Sequence, residues 1–199
     1  MGEKSGLKRN HILECARQVF AEKGFRDVTM QDIVLACDIS RGGLYLHFTR
    51  VDEIFAEVMK MDQESGDDGG ALSLPEQSTP TDILALFMKE QKKEILRKKN
   101  SLSVAVYEYY FYLSSKQIKI PAKENILKQQ FETGVLILEN LIRDGLVTGE
   151  FYCEDPRGMA SNIMYTLEGL KVTARTLGIS EALVDKELVY IVQNIVFEE

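Results

Sequence analysis

Apolar residues recur at helical spacing along almost the whole chain, and that spacing leaves little room for anything but an all-α fold. Ile12, Ala16, Val19 and Phe20 stand at i, i+4, i+7 and i+8, the stripe of a helix with one face on a core. Gly24 suits the end of that helix. Thr29 with Asp32 three residues later reads as the start of a second, a hydroxyl cap with a carboxylate in the first turn. Asp38 breaks the pattern and Ser40 restarts it. A short helix is expected from Arg41 to about His47, and another from Val51 to Asp62. Strand signals are almost absent.

Residues 63–80 change character, with clustered Gly, Pro and acidic residues. They read as a flexible loop that separates a small head, 1–62, from a larger body, 81–199. In the body the spacing predicts a helix from Pro80 to Asn100 capped by Thr81 or Asp82, and an aromatic-rich helix over 101–114. A long helix should start at Pro121, run along Leu127, Phe131, Val135, Leu138 and Ile142, and be closed by Gly145 and Gly149. Asp155 with Pro156 should open another through Leu177, and Ser180 the last to about Phe197. The expected architecture is therefore all-α, with about nine helices and no internal repeat.

Composition narrows the function. No apolar run approaches the roughly 20 residues of a membrane span, and residues 1–10 lack the apolar stretch of a signal peptide, so no membrane partner and a cytoplasmic location are expected. Cys15, Cys37 and Cys153, with His11 and His47, show no metal-ligand spacing. Reduced thiols, no metal and no cofactor are the expectation. The net charge is −7, but it is unevenly spread. Residues 1–50 carry eight Lys/Arg against six Asp/Glu, and the remainder sixteen against twenty-five. A mildly basic head on an acidic body fits a head that meets phosphate.

Two short helices joined by a tight turn, over about Thr29 to Phe48, make a helix-turn-helix. Ile33, Val34 and Cys37 supply the contacts that hold the second helix, and Asp38 can take the left-handed turn. Ile39, Leu44 and Phe48 point inward by spacing. Arg41, Gly42, Gly43, Tyr45, Leu46 and His47 are left outside. Two adjacent glycines cost about 1 kcal/mol each against alanine in a helix, which a merely packed helix would not repay. A helix that presses its backbone on DNA would use them. Arg41 can reach guanine or phosphate, and Tyr45 and His47 can donate to phosphate oxygens.

The spacing of Arg9, Ile12, Leu13, Ala16, Phe20, Gly24, Phe25, Thr29 and Ile33, followed by the run Ile39–Phe48, resembles the tetracycline-repressor (TetR) family. The string Ser-x-Gly-x-Leu-Tyr-x-His-Phe at Ser40 to Phe48 is its most specific part. The stretch Gly145–Phe151 with Asp155 and Gly169-Leu170 resembles the ligand-binding body of that family. The resemblance implies that Thr29 caps the second helix and touches phosphate, that Ser40, Arg41, Gly42 and Gly43 lie in the major groove, and that Tyr45 and His47 hold the DNA backbone. The family usually has glycine where this chain has Asp38, and lysine where it has Val51. Arg50 is the candidate replacement for that lysine.

The resemblance further implies a repressor, not an enzyme, that binds a near-palindromic double-stranded operator as a homodimer and is released by a small effector. Phe87, Met88, Val104, Tyr107, Phe111, Phe131, Val135, Met164 and Glu168 face inward on their own helices and, with Glu108, are the candidate pocket. They suit a hydrophobic or aromatic ligand, with a cationic one also admitted because aromatic faces and carboxylates attract cations. The alternative is that these side chains fill one another's space as core. The last two helices are apolar on more than one side, which makes Met159, Ile163, Leu167, Leu170, Leu188, Ile191 and Ile195 the candidate dimer interface as a four-helix bundle. The rival reading is an all-α enzyme or protein-interaction module without DNA binding, for which no constellation of nucleophile, base and oxyanion donors is found.

Overall fold

The computed structural model describes residues 2–67, 77–97, 100–121 and 124–195. Among these it contains nine helices and no strand: α1 Gly2–Lys23, α2 Met30–Cys37, α3 Arg41–Tyr45, α4 Val51–Asp67, α5 Pro80–Leu96, α6 Ser103–Ser115, α7 Ile126–Thr148, α8 Pro156–Thr176 and α9 Glu181–Gln193. Most helix starts are dictated locally. Thr29, Ser40, Asp155 and Ser180 each accept the N–H two or three positions into the helix they open. α1 ends where Gly24 takes φ +79, as a C-terminal glycine should.

Several expected boundaries move. α5 is capped by Thr79, not Thr81 or Asp82; Thr79 and Asp82 form a reciprocal capping box with Pro80 at the first helical position. α4 runs to Asp67, into the segment expected to be loop, and residues 68–76 of that segment lie outside the described residues. α7 begins at Ile126, not Pro121. Gly149, at φ +77, follows its last turn, but Gly145 does not end it. Gly145 is inside α7 because a Cβ there would fall within the ring of Phe151, which is 2% exposed and whose N–H donates to the Gly145 carbonyl at 3.0 Å. Gly145→Ala should therefore cost about 1–3 kcal/mol through overpacking. Urea unfolding checks it, and a midpoint unchanged from wild type would contradict the close approach.

The helices divide into two compact units. The first holds α1–α4 and also α6, a helix that lies within the 81–199 stretch expected to form the body. Its core is Ile12, Ala16, Phe20, Phe25, Ile33, Leu44, Phe48, Ile54 and Phe55 with Ala105, Tyr109 and Leu113 of α6. Phe25 lies 5.1 Å, and Phe55 5.2 Å, from the Tyr109 ring. The carboxylate of Glu108 accepts the N–H groups of Phe25 at 2.6 Å and Arg26 at 3.1 Å, so it secures the backbone after Gly24.

The second unit holds α5 and α7–α9 around Leu84, Ile95, Leu138, Ile142, Ile163, Leu167 and Val184. Arg175 of α8 donates to the carbonyls of Ile95 at 3.0 Å and Glu94 at 3.3 Å, closing the end of α5. Lys92 of α5 pairs with Glu181 and Asp185 of α9.

This unit corrects the expected dimer interface. Ile163, Leu167, Leu170, Leu188, Ile191 and Ile195 are all buried within the single chain, and Met159 packs half-buried against the same core. Side chains committed to the protomer's own interior are not available to a second copy. The exposed apolar residues of the same helices lie elsewhere. Tyr165 and Val172, with Gly169 between them, stand at i, i+4 and i+7 on α8, and Leu183 and Tyr190 at i and i+7 on α9.

Candidate nucleic-acid interface

The turn between α2 and α3 is made by Asp38 at φ 52, ψ 45. This is the left-handed conformation that glycine adopts at least cost and that Asp tolerates. Asp38 N–H donates to the carbonyls of Leu35 and Val34, which closes α2. Ser40 then restarts the helix, its Oγ accepting Gly43 N–H at 3.1 Å. The α2 start is held by a reciprocal box. Thr29 N–H and Oγ1–H donate to Asp32 at 2.8 and 2.6 Å, and Asp32 N–H donates back at 3.2 Å. The Lys23 ammonium and these Thr29 donors hold the Asp32 carboxyl well below the usual carboxylate range.

α3 has two faces. Leu44 and Phe48 are 0% and 1% exposed, and Ile39 is half-buried against the same core. Arg41, Gly42, Tyr45 and Leu46 are exposed, with Gly43 and His47 half-buried beside them. Leu46 is 84% exposed, so an apolar tip stands in solvent on this face. The Arg41 guanidinium sits 5.7 Å from the Tyr45 ring, one turn apart, and each steadies the other. A Cβ at Gly42 would meet nothing within 4 Å. Among the described residues nothing packs against that position, and the space beside it is open. Arg50 is exposed and pairs through Nε and Nη2 with Asp52. Its guanidinium must share or leave that partner to meet a phosphate.

The candidate pocket residues are divided. Met88, Val135 and Met164 are buried in the second unit, with Phe87 and Phe131 half-buried against the same core. Glu168 is paired with Lys171 at 2.8 Å. Val104, Tyr107, Glu108 and Phe111 belong to α6 in the first unit. Phe111 is 68% exposed and Val104 40%, so neither is filled core. Glu108 is corrected outright as a pocket wall, because its carboxylate is spent on Phe25 and Arg26 N–H. The structure also brings Cys15, Cys37 and His11 together, a cluster that sequence spacing did not signal. Among the described residues no group of three or more His, Cys, Asp or Glu is placed to hold a metal ion, and no helix is long and apolar enough to cross a membrane.

Residues 12–58 match the description of the bacterial regulatory proteins, tetR family, and residues 83–185 match the tetracyclin repressor-like C-terminal domain. The chain belongs to the tetR family. It is a helix-turn-helix transcriptional regulator, and the expected fold class and family both hold. The tetR-type sequence is 26% identical over 157 residues to the uncharacterized HTH-type transcriptional regulator YfiR of Bacillus subtilis, spanning 77% of this chain and 73% of that one. Its fold is that of a transcriptional regulator from Saccharomonospora viridis in complex with choline, with a TM-score of 0.77 at 19% identity over 96% of this chain and 98% of that one. It is also that of a TetR-family regulator from Agrobacterium tumefaciens, with a TM-score of 0.73 at 18% identity over 97% and 100% of the two chains.

Proposed function

We propose that this regulator is a repressor that binds a near-palindromic operator as a homodimer and leaves it when a small effector occupies the body. The observation that carries the reading is the outward face of α3. Arg41, Gly42, Tyr45 and Leu46 are exposed on a helix whose other side is locked by Leu44 and Phe48. That is the form of an element shaped for a groove. Thr29, Ser40, Gly43, His47 and Arg50 flank it, the first two as caps that fix where the two helices begin. No catalytic step is part of this function.

Two-fold symmetry of the operator would follow from two-fold symmetry of the protein. The pairing face is Tyr165, Gly169 and Val172 of α8 with Leu183 and Tyr190 of α9. The effector is small and hydrophobic or aromatic; the half-buried Phe87 and Phe131 are the side chains open to it, and Met88, Val135 and Met164 lie buried behind them. A quaternary ammonium is the first compound to try, because choline is the ligand of the Saccharomonospora viridis regulator and the aromatic rings of Phe87 and Phe131 attract cations.

Selection from a pool of random duplexes should enrich two inverted half-sites about one helical turn apart, or a multiple of that. An enriched site without symmetry would contradict the operator reading. Sedimentation should show a dimer at micromolar protein, and Val172→Glu with Tyr190→Glu should give a folded monomer. A wild-type monomer, or a dimer that survives both changes, would refute this pairing face. Choline and larger aromatic ammonium compounds should raise the melting temperature of wild type and lower its affinity for the selected duplex. Stabilisation without release would refute the inducer reading.

A further inference from the structure

The side chain opposite the anchored side of α3 is apolar. Leu46 is 84% exposed. Its backbone is still helical, at φ −68 and ψ −22, and its N–H donates to the Gly42 carbonyl at 3.1 Å, so the register of α3 carries through it. At about 100° per residue, Leu46 falls opposite the mean direction of Leu44 and Phe48, the two buried side chains that hold α3 on the core. Gly42 lies one turn earlier on the same line, and a Cβ there would meet nothing within 4 Å. The midline of the outward face is therefore a bare glycine followed by an isobutyl group. Arg41 and Tyr45 run along one side of it, and Gly43 and His47 along the other.

Single exposed leucines are common on protein surfaces, but the place of this one limits what it can do. Phosphates offer it nothing, because they are charged acceptors. The base edges in the major groove carry hydrogen-bond donors and acceptors and one apolar group, the C5 methyl of thymine. Leucine set against a donor or acceptor would strip that group of water and give no bond in return. Set against the methyl, it removes apolar surface of both from water.

We propose that Leu46 is a specificity-determining residue that reads thymine, its isobutyl group packing on the C5 methyl of one thymine in each half-site. The proposal rests on α3 being the element that enters the groove. The absence of a side chain at Gly42 lets the helix lie close enough for Leu46 to reach the methyl. Cytosine in the same place is rejected twice. It lacks the methyl, and its amino group is a donor that leucine cannot satisfy. Leu46 thus supplies discrimination by apolar contact, where Arg41 beside it can supply only hydrogen bonds and charge.

The test uses the full chain and the duplex it selects from a random pool, remade with deoxyuridine in place of one thymidine at a time. That change removes the methyl and keeps every Watson–Crick hydrogen bond. Fluorescence anisotropy should show wild type losing about fourfold in affinity for each half-site at one position, the effect of burying one methyl-sized group. Leu46→Ala should melt at the wild-type temperature, bind the parent duplex more weakly, and lose nothing further when that thymidine becomes deoxyuridine. Selection repeated with Leu46→Ala should keep the rest of the site and lose the thymine. If no position responds to deoxyuridine, or if Leu46→Ala loses as much as wild type at the same position, the methyl is unread or is read by another side chain, and the proposal is overturned. Wild type that enriches no duplex, or the triple variant Arg41→Ala, Tyr45→Ala, His47→Ala holding the selected duplex at wild-type affinity, would overturn the α3 reading itself, and this proposal with it.

Discussion

Phe55→Ala should lower the stability of the head by about 3–5 kcal/mol. Phe55 is 0% exposed. Its ring lies 4.6 Å from Phe20, 5.3 Å from Phe25 and 5.2 Å from Tyr109. It is thus the one residue of α4 whose ring meets α1, the link after it, and α6 together. Truncation removes an aromatic volume that three helices enclose from different directions, and a site held on several sides collapses poorly. Leu136→Ala, at a position 51% exposed, is the control and should stay within about 0.5 kcal/mol of wild type. Urea unfolding followed by circular dichroism compares them. A Phe55→Ala loss no larger than the control's would mean that this aromatic cluster does not hold the head together.

That cluster also marks where the sequence stopped being informative. Thr29 with Asp32, Ser40, Asp155 with Pro156, and Ser180 were legible because a cap is a bond between residues three apart. Thr79 was equally local, since Thr79-Pro80-x-Asp82 is a capping box. The helix start at Pro80 agrees with the structure, but the cap expected at Thr81 or Asp82 falls inside its first turn. The inward side of α3 was legible because Leu44 and Phe48 sit at helical spacing from Ile39, and the structure buries them.

Partners distant in sequence were not legible. α6 is rich in apolar side chains all round, so nothing in its periodicity says that Tyr109 meets Phe25 and Phe55, or that Glu108 meets backbone eighty-odd residues earlier. The same ambiguity misassigned α8 and α9. Both have apolar residues on two sides, and periodicity cannot say which side the protomer keeps for itself. Ile163 and Ile191 proved to be core, and Tyr165 and Tyr190 remained outside.

The second large effect lies at the reading face. If Arg41 reads a base, Arg41→Ala should cost about 1–3 kcal/mol of specific binding and relax preference at one position of the selected duplex. His47→Ala should weaken binding evenly across sequences and flatten its dependence on salt, as a lost phosphate contact does. Tyr45→Ala should do both in part, since its ring also steadies Arg41. Gly42→Ala separates recognition from folding. A Cβ there meets nothing in the chain, and alanine is favoured over glycine in a helix by about 1 kcal/mol. The variant should therefore melt at or above the wild-type temperature while, on the proposed reading of α3, its affinity for the selected duplex falls because the added methyl stands between the helix and the groove. Fluorescence anisotropy across a salt series, paired with thermal melts, reads both quantities. Wild-type affinity in Gly42→Ala, or in the triple variant Arg41→Ala, Tyr45→Ala, His47→Ala, would mean that the DNA meets another face. A Gly42→Ala variant that lost stability together with affinity would show that the glycine serves the fold, and the argument from the open space around it would fail.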